Sequence, residues 1–294
     1  MKASIQPTTA KTYQHHWQTF LHFLRAQLHA HPTFPADTNH ICLFLVHLAS
    51  IGLTHTTIRT YLTALSFVHK MSHAVDTTQS FVVTKTLQGI KNTQSTTSRH
   101  RMPITRHILH SLLLSLPFAA QTPYDKILWP ALFLTTYHAC LRAGEVTLSK
   151  NPNNVLQRSQ VSTDDDHFAI QFLQYKHSAH HTPLLKIKCQ PQGIPCPLSA
   201  LQRYLAIRGA HPGQLFINLD KSPVTIEQFA NILKITVSMC SLPTHLYTTH
   251  SFRIGKATDM ASNGHPDQTI RQAGRWRSTA YNRYLRPENV TLPQ

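Results

Sequence analysis

The chain has 294 residues, of which 28 are Lys or Arg, 12 are Asp or Glu and 22 are His, giving a formal net charge of +16. Because 41% of the residues are apolar, the chain can bury one large core or two smaller ones, which excludes a largely disordered protein. The longest apolar stretches, 41–53 and 108–120, are interrupted and shorter than the roughly 18 residues of a membrane span. The first residues also lack the apolar core of a secretory signal, so we expect a protein that is neither secreted nor membrane-inserted.

The cysteines and glycines limit the compartment and the cofactors that we expect. The five cysteines include no CxxC pair, which argues against a disulfide framework and for a reducing compartment. Neither GxGxxG nor GxxxxGK[ST] occurs, so ATP and NAD are not expected as cofactors. The basic excess therefore favours a polyanionic partner whose phosphates Lys and Arg neutralise, the alternative being a basic surface without such a partner.

Four amphipathic helices are predicted within the first 90 residues. Apolar spacings of three and four predict the first at 9–28. Asp37 is the expected N-cap of the second and Thr54 of the third, and apolar residues at 82, 83, 87 and 90 predict a fourth over 78–90. Four short helices of this kind indicate a compact helical bundle with polar surface available for binding.

A polar segment divides the chain. Residues 94–103 are rich in Ser, Thr and basic residues, which is typical of a linker, so we expect domains at 1–93 and 104–294. In the second region, apolar runs flanking a polar turn predict a β-hairpin within 159–188. Helical patterns surround it at 105–116, 125–139, 198–208, 225–239, 251–263 and 268–273. The predicted fold class is mostly α with a small β-sheet (α+β).

The last fifty residues carry the most informative pattern. His250 and Arg253 are three residues apart and therefore lie on one face of a helix. The sequence Gly274-Arg275-Trp276 follows, and Tyr284 lies ten residues beyond the glycine. Residues 271–286 contain five Arg and no acidic residue, so this end of the chain suits an anionic substrate.

This order of motifs resembles the catalytic end of the tyrosine recombinase (phage integrase) family, in which H-x-x-R precedes G-[H/W] and a nucleophilic tyrosine. The variant GRWRSTAYNRYLR is most similar to recombinases of eukaryotic mobile elements, the Crypton and DIRS-type groups. The segment LRAGE matches the family's L-R-x-x-E and nominates Arg142, while LQYKHS nominates Lys176 as the family's hairpin lysine. The N-terminal region resembles the family's helical core-binding domain, so the resemblance spans nearly the whole chain.

The resemblance implies a phosphoryl transfer on DNA, and the residue types suit it. Arg142 and Arg253 would hold the non-bridging phosphate oxygens bidentately. Tyr284 would attack, Lys176 would protonate the departing 5′ hydroxyl, and His250, with an expected pKa near neutrality, would donate a hydrogen bond or accept a proton. The 3′-phosphotyrosine retains the bond energy, so no cofactor is expected, neither ATP nor a metal.

Two positions in the C-terminal motif admit alternatives. Arg275 stands where the family has His or Trp, so the transition-state contact made there falls either to Arg275 or to Trp276. Tyr281 competes with Tyr284 as the nucleophile, and the spacing from Gly274 favours Tyr284.

Other residues offer competing interpretations. Lys186 and Lys188 on the predicted partner strand compete with Lys176. The acidic run 164–166 suits a tight polar turn better than a metal-dependent nuclease site, since adjacent acids on a strand point to opposite faces. A zinc site is not expected because standard spacing is missing from its candidate ligands, His177, His180, His181, Cys189 and Cys196.

We therefore predict a site-specific DNA recombinase or integrase that cleaves and rejoins strands through a 3′-phosphotyrosine. Its expected partner is double-stranded DNA, clamped between the two domains and contacted by Arg59 and Arg277 among others, within a homotetrameric synaptic complex. One alternative is a domesticated DNA-binding protein of the same fold that no longer cleaves, and another is a type IB topoisomerase. The resemblance places the protein in the nucleus if its source is eukaryotic and in the cytoplasm otherwise.

Overall fold

The structure is a computed structural model that describes residues 5–94, 101–148, 154–173, 184–191, 195–276 and 278–285. The chain forms two compact units, residues 1–98 and 99–294. Helices dominate both, and one small antiparallel sheet lies in the second, which confirms the predicted fold class. Within the described ranges no helix combines the length and apolar character needed to cross a bilayer.

Over residues 5–94, the first unit contains four α-helices, α1 (Pro7–Gln27), α2 (Thr38–Ser50), α3 (His55–Met71) and α4 (Phe81–Thr93). The predicted caps of two of them are confirmed. The Asp37 carboxylate accepts hydrogen bonds from two amides at the start of α2, and the Thr54 hydroxyl accepts one at the start of α3. Capping satisfies amides that have no partner within the helix, and it therefore fixes where each helix begins.

The core of the first unit follows the predicted apolar faces, with one exception. Its fully buried residues include Phe20, Ile41, Phe44, Leu45, Ile58 and Leu65. In α4, however, Val83 and Ile90 are buried whereas Val82, expected on the same face, is 53% exposed. The reason is that adjacent residues lie about 100° apart around a helix, so that Val83 and Ile90, seven residues apart, form the inner face and Val82 is turned away from it.

The second unit contains seven helices and three strands in its described part. The helices are α5 (Arg106–Ala119), α6 (Asp125–His138), α7 (Ala143–Val146), α8 (Pro197–Arg208), α9 (Ile226–Met239), α10 (Ser251–Ser262) and α11 (Asp267–Gly274). The strands are β1 (Val161–Thr163), β2 (His167–Gln171) and β3 (Leu184–Lys188), antiparallel in the order β1-β2-β3. Phe168 pairs with Ile187 across β2 and β3, which confirms the predicted hairpin, whose turn lies outside the described residues.

Helix α6 lies at the centre of the second unit and positions part of the candidate site. Its residues from Leu128 to Tyr137 are almost all buried, and it packs against α5, α8 and α10. Directly after α6, Cys140 adopts a left-handed backbone conformation with φ of 49°, and the chain then turns into α7 at Arg142. Arg142 follows the buried helix α6 after a short turn, so α6 fixes its position.

Helix α10, which carries His250 at its N-cap and Arg253 in its first turn, approaches another backbone segment very closely at Gly255. A Cβ atom at position 255 would lie 1.7 Å from the carbonyl oxygen of Ile104. The Ile104 amide in turn donates to the carbonyl of Ser251 at 3.0 Å. Glycine at 255 is therefore required for this segment to lie against α10.

Gly255→Ala is expected to destabilise the second unit by about 3 kcal/mol, because backbone atoms have to move to admit the methyl group. Gly89→Ala in α4 is the matched control. A Cβ there has no neighbour within 4 Å, and alanine favours a helix over glycine by roughly 0.5–1 kcal/mol. Denaturant unfolding measures both variants, and a Gly255→Ala protein as stable as the parent would contradict the close packing.

Candidate active site

Arg253 forms the buried centre of the site. Its side chain is fully buried and its two terminal nitrogens donate hydrogen bonds to the backbone carbonyls of Cys140 and Gly274. The guanidinium also stacks over the ring of Trp276, with its central carbon 4.2 Å from the ring centroid. These contacts from two separate segments, at Cys140 and at 274–276, fix the orientation of the guanidinium before any substrate arrives.

The guanidinium of Arg142 is held in the same site by the carboxylate of Glu145. Arg142 occupies the N-cap position of α7, where its amide donates to Oε2 of Glu145 at 2.8 Å and its Nη1 donates to Oε1 at 2.9 Å. The Arg275 Nη2 donates to the same Oε2 at 2.7 Å. The side chain of Glu145 is 5% exposed and that of Arg275 4%, whereas that of Arg142 is 27% exposed. Of the three, Arg142 is the side chain that solvent can reach.

Glu145 is ionised despite its burial. Desolvation raises the pKa of its carboxyl, but the positive charges of Arg275 and Arg142 and the hydrogen bond from the Arg142 amide outweigh it, leaving the pKa below its ordinary value. Three guanidiniums, those of Arg142, Arg253 and Arg275, thus lie around one carboxylate. The remaining positive charge suits a bound anion such as a phosphodiester.

Arg275 and Trp276 differ in their placement. Arg275 ends α11 in a left-handed conformation, with φ of 55°, and its guanidinium lies 4.0 Å from the ring centroid of Phe172. Trp276 instead lies against Arg253 and against the ring of Tyr284, at 5.2 Å between ring centroids. The turn after α11 therefore sends Arg275 toward Glu145 and Trp276 toward the tyrosine.

The two candidate tyrosines are in different environments. Tyr284 is half-buried, with its ring 5.2 Å from that of His250 and 5.9 Å from the central carbon of the Arg253 guanidinium. Tyr281 is 1% exposed and belongs to a small core with Ala257, Met260 and Ile270. The structure thus brings Tyr284 together with Arg253 and His250, and it uses Tyr281 in packing.

The pKa of His250 differs from the sequence expectation. Burial, followed by the positive charges of Arg253, Arg101 and Arg142, lowers it to about 4, so the expected value near neutrality is wrong. The imidazole is neutral at pH 7 and can donate one hydrogen bond and accept another. Sequence spacing identified this residue and the neighbouring Arg253, but the burial that lowers its pKa most and the charges of Arg101 and Arg142 come from the tertiary structure.

His250 is expected to make the protein less stable in mild acid. Its pKa of about 4 in the folded chain lies below the 6.5 of an unperturbed histidine, so the unfolded chain takes up the proton first as the pH falls. The contribution of neutral His250 to the free energy of unfolding is complete above pH 6.5 and is lost as the pH falls toward 4. The loss between pH 8 and pH 5 amounts to at most about 2 kcal/mol.

Urea unfolding of the parent and of His250→Asn at both pH values measures this contribution. The difference between the two proteins at pH 8 records the packing that the imidazole provides, and the change in that difference at pH 5 records the titration. An equal loss of stability in both proteins on acidification would contradict the assignment.

The sequence also predicts DNA-related roles for Lys176, Arg277 and Arg59. Lys176 and Arg277 fall outside the described residues. Arg59 is exposed on α3 and lines a groove of about 560 Å³ in the first unit. Lys70 and Lys91 line the same groove, and burial together with the charges of Lys91 and Arg59 lowers the pKa of His55 there. The groove is therefore electropositive.

The structure also describes the two lysines that compete with Lys176 and the acidic run at 164–166. Lys186 and Lys188 are exposed on β3, paired in register with Ala169 and His167. Residues 164–166 form the turn between β1 and β2, as predicted, and the Asp164 amide donates to the His167 carbonyl at 2.8 Å. Among the residues whose positions are described, no group of three His, Cys, Asp or Glu side chains is arranged to hold a metal.

Sequence reasoning missed the network one turn beyond Arg253. Lys256 lies with its ammonium 5.5 Å from the Tyr137 ring centroid, and burial lowers its pKa. The Tyr137 hydroxyl donates to the Asp259 carboxylate, which also accepts from the Arg106 amide at 2.6 Å. The spacing of Arg253 and Lys256 by three residues is the one signal that could have indicated this network.

Comparisons with known proteins agree with this fold. No protein-family model matches the chain. A curated relative, an integrase/recombinase xerD homolog from Selenomonas ruminantium, is 23% identical over 306 residues, covering 99% of this chain and 84% of the relative. The sequence similarity therefore runs through both units.

Solved structures with lower sequence identity share the fold of this chain. The Tn1549 transposon integrase in complex with circular intermediate DNA has a TM-score of 0.67 and 14% identity, covering 97% of this chain and 91% of that one. XerH site-specific recombinase bound to difH substrate has a TM-score of 0.64 and 16% identity, covering 96% and 77%. A lambda integrase dimer bound to a core site has a TM-score of 0.62 and 12% identity, covering 99% and 75%. The chain has the fold of tyrosine recombinases, and the comparisons support a relationship with that family.

Proposed function

We propose that this protein is a site-specific DNA recombinase that cleaves and rejoins DNA strands through a phosphotyrosine at Tyr284. The observation that carries the proposal is the convergence of Tyr284 with His250 and Arg253 at the start of α10, beside the Arg142–Glu145 pair. The relationship with an integrase/recombinase homolog supports the same reaction class.

The residues divide the reaction between them. Arg142 and Arg253 bind the non-bridging oxygens of the scissile phosphate and stabilise the charge that develops on them. The Tyr284 oxygen forms a bond to phosphorus as the bond to the 5′ oxygen breaks, and the 5′ oxygen leaves with a proton from Lys176. Neutral His250, 5.2 Å from Tyr284 between ring centroids, donates a hydrogen bond to the phosphate or accepts the phenolic proton. Reversal of this step by another 5′ hydroxyl completes the exchange without an external energy source.

Arg275 acts on this site through Glu145. Its guanidinium is buried on Phe172 and paired with Glu145, which in turn orients Arg142. We assign Arg275 as a positioning residue, and we assign to Trp276 the place that His or Trp occupies in the family motif. The contact of Trp276 with both Arg253 and Tyr284 supports this choice.

The groove on the first unit is the proposed DNA contact of that unit. Arg59, Lys70 and Lys91 line it, and cations arranged in this way neutralise backbone phosphates. In this proposal the first unit is a core-binding domain, the second is the catalytic domain, and Arg277 adds a further DNA contact. The active assembly is a homotetramer on synapsed DNA.

The alternative is a DNA-binding protein of the same fold that no longer cleaves. The intact set of Arg142, His250, Arg253 and Tyr284 favours the enzyme over this alternative. The curated relative is bacterial, and the eukaryotic mobile-element subgroup and a nuclear location stay predictions.

The test uses the full-length protein and suicide DNA substrates, in which a nick beside the scissile phosphate prevents religation. The substrates come from the DNA that flanks the gene for this chain. We expect a protein–DNA complex that survives denaturing electrophoresis and disappears on protease treatment. Specific binding to a site without any covalent complex would overturn the proposed cleavage and support the non-cleaving alternative.

A further inference from the structure

Two cysteines outside the candidate active site lie in contact. Cys189 directly follows β3, and Cys196 occupies the N-cap position of α8. Their sulfur atoms are 3.1 Å apart, and both are free thiols. A disulfide bond has a sulfur–sulfur distance of about 2.05 Å, so a movement of roughly 1 Å joins them.

The environment distinguishes the two thiols. Burial of Cys196 opposes its ionisation, but hydrogen bonds with the Ser199 amide, the Cys189 thiol and the Gln190 and Leu198 amides outweigh it and lower the pKa of Cys196. The hydrogen bond between the two thiols raises the pKa of Cys189. Cys196 is therefore the thiol of the pair that loses its proton more readily, and the thiolate is the nucleophilic form of cysteine.

Access to the pair is open from solvent. Cys189 is exposed and Cys196 is half-buried, whereas Cys140 is buried beneath Arg253. Cys42 lies in the first unit, and Cys240 contacts the Ser115 hydroxyl at 3.3 Å. The adjacent pair thus combines exposure, an ionisable thiol and a second thiol in position to resolve a mixed disulfide.

We propose that Cys189 and Cys196 are a redox modification site, which forms a reversible intramolecular disulfide when the protein meets a low-molecular-weight disulfide. The Cys196 thiolate attacks the disulfide, forms a mixed disulfide and releases one thiolate. Cys189 then loses its proton and attacks the Cys196 sulfur, releasing the second thiol. The protein dithiol is oxidised by two electrons, and the small disulfide is reduced to two thiols.

The bond has a defined place in the fold. It joins the end of β3 to the start of α8, and the connection between them also contacts α5, since the Gln190 side chain accepts from Arg106 Nη2 at 2.7 Å. The disulfide therefore fixes the base of the β2–β3 hairpin against two helices, a constraint that the reduced protein lacks.

The test exposes the full-length protein to oxidised glutathione and measures its intact mass and free thiols under denaturing conditions. We expect a mass loss of two hydrogens with no attached glutathione, three remaining thiols, and a Cys189–Cys196 cross-linked peptide after digestion. Reduction with dithiothreitol restores all five thiols. Stable glutathione adducts on both cysteines of the unaltered protein, or no reaction at either, would overturn the proposal.

Single variants assign the roles of the two thiols. Cys189→Ser is expected to trap one glutathione on Cys196, and Cys196→Ser is expected to react at least about tenfold more slowly at Cys189. Cys42→Ser, which removes a half-buried thiol of the first unit, serves as the matched control and forms the disulfide normally. Loss of two hydrogens from Cys189→Ser would place the disulfide elsewhere and refute the assignment. None of these readouts depends on DNA cleavage.

Discussion

Replacing Tyr284 with Phe is expected to abolish the covalent protein–DNA complex, with a fall in its rate of formation of at least about a thousandfold. The variant loses a single oxygen atom, and that oxygen is the proposed nucleophile. The ring contacts with His250 and Trp276 are kept, so folding and DNA affinity are expected to stay close to those of the parent. Suicide substrates measure the covalent complex, and a mobility-shift assay measures binding.

Tyr281→Phe is the matched control, because it also removes a phenolic oxygen, at a position three residues earlier in the chain. Tyr281 packs in the small core beside α10 and α11 and lies 6.2 Å from Trp276 between ring centroids. Its variant is expected to form the covalent complex at a rate within about threefold of the parent. Cleavage that survives in Tyr284→Phe and disappears in Tyr281→Phe would transfer the nucleophile to Tyr281.

Arg253→Lys is expected to slow cleavage by about a hundredfold to ten-thousandfold while the positive charge is retained. Lysine lacks the planar fork that donates at once to the carbonyls of Cys140 and Gly274 and stacks on Trp276. The remaining ammonium binds a phosphate as a point charge and holds neither loop in place. Single-turnover cleavage at saturating protein separates this loss from any change in DNA affinity.

Arg208→Lys controls for the general cost of removing a buried guanidinium. Arg208 is 4% exposed in α8, where it donates to the carbonyls of Leu215, Gly209, His211 and Gln214. This variant is expected to lose stability and to cleave at the parent rate per folded molecule. Equal losses of cleavage in both variants would show that Arg253 acts through stability rather than at the phosphate.

Local sequence signals predicted much of the fold. Asp37 and Thr54 mark helix starts because a side-chain oxygen in the right place satisfies amides that no helix can satisfy itself. The apolar runs flanking a polar turn predicted the β2–β3 hairpin for an equally local reason, since three consecutive residues of β2, from Phe168 to Ile170, are buried. The prediction for Val82 was wrong because adjacent residues lie about 100° apart around a helix, and Val83 takes the inward position.

The candidate site was predictable in its residue types and only partly in their arrangement. The spacing of His250 and Arg253 places both at the start of one helix, which is a local property. The low pKa of His250, by contrast, comes first from its burial, then from the nearby Arg253, and then from Arg101 and Arg142, which lie more than a hundred residues away in the chain. The pairing of Arg275 with Glu145 depends in the same way on a contact between distant segments.

The residue at position 274 limits which side chain position 276 can carry, and the reverse also holds. A Cβ at position 274 would lie 1.7 Å from the ring of Trp276, and that ring is held in place by Arg253 and Tyr284. A side chain at 274 and an indole at 276 therefore exclude each other. In evolutionary terms the order of change is constrained: a lineage that keeps Trp276 has to keep Gly274, and replacement of the glycine has to follow the replacement of the tryptophan by a smaller residue.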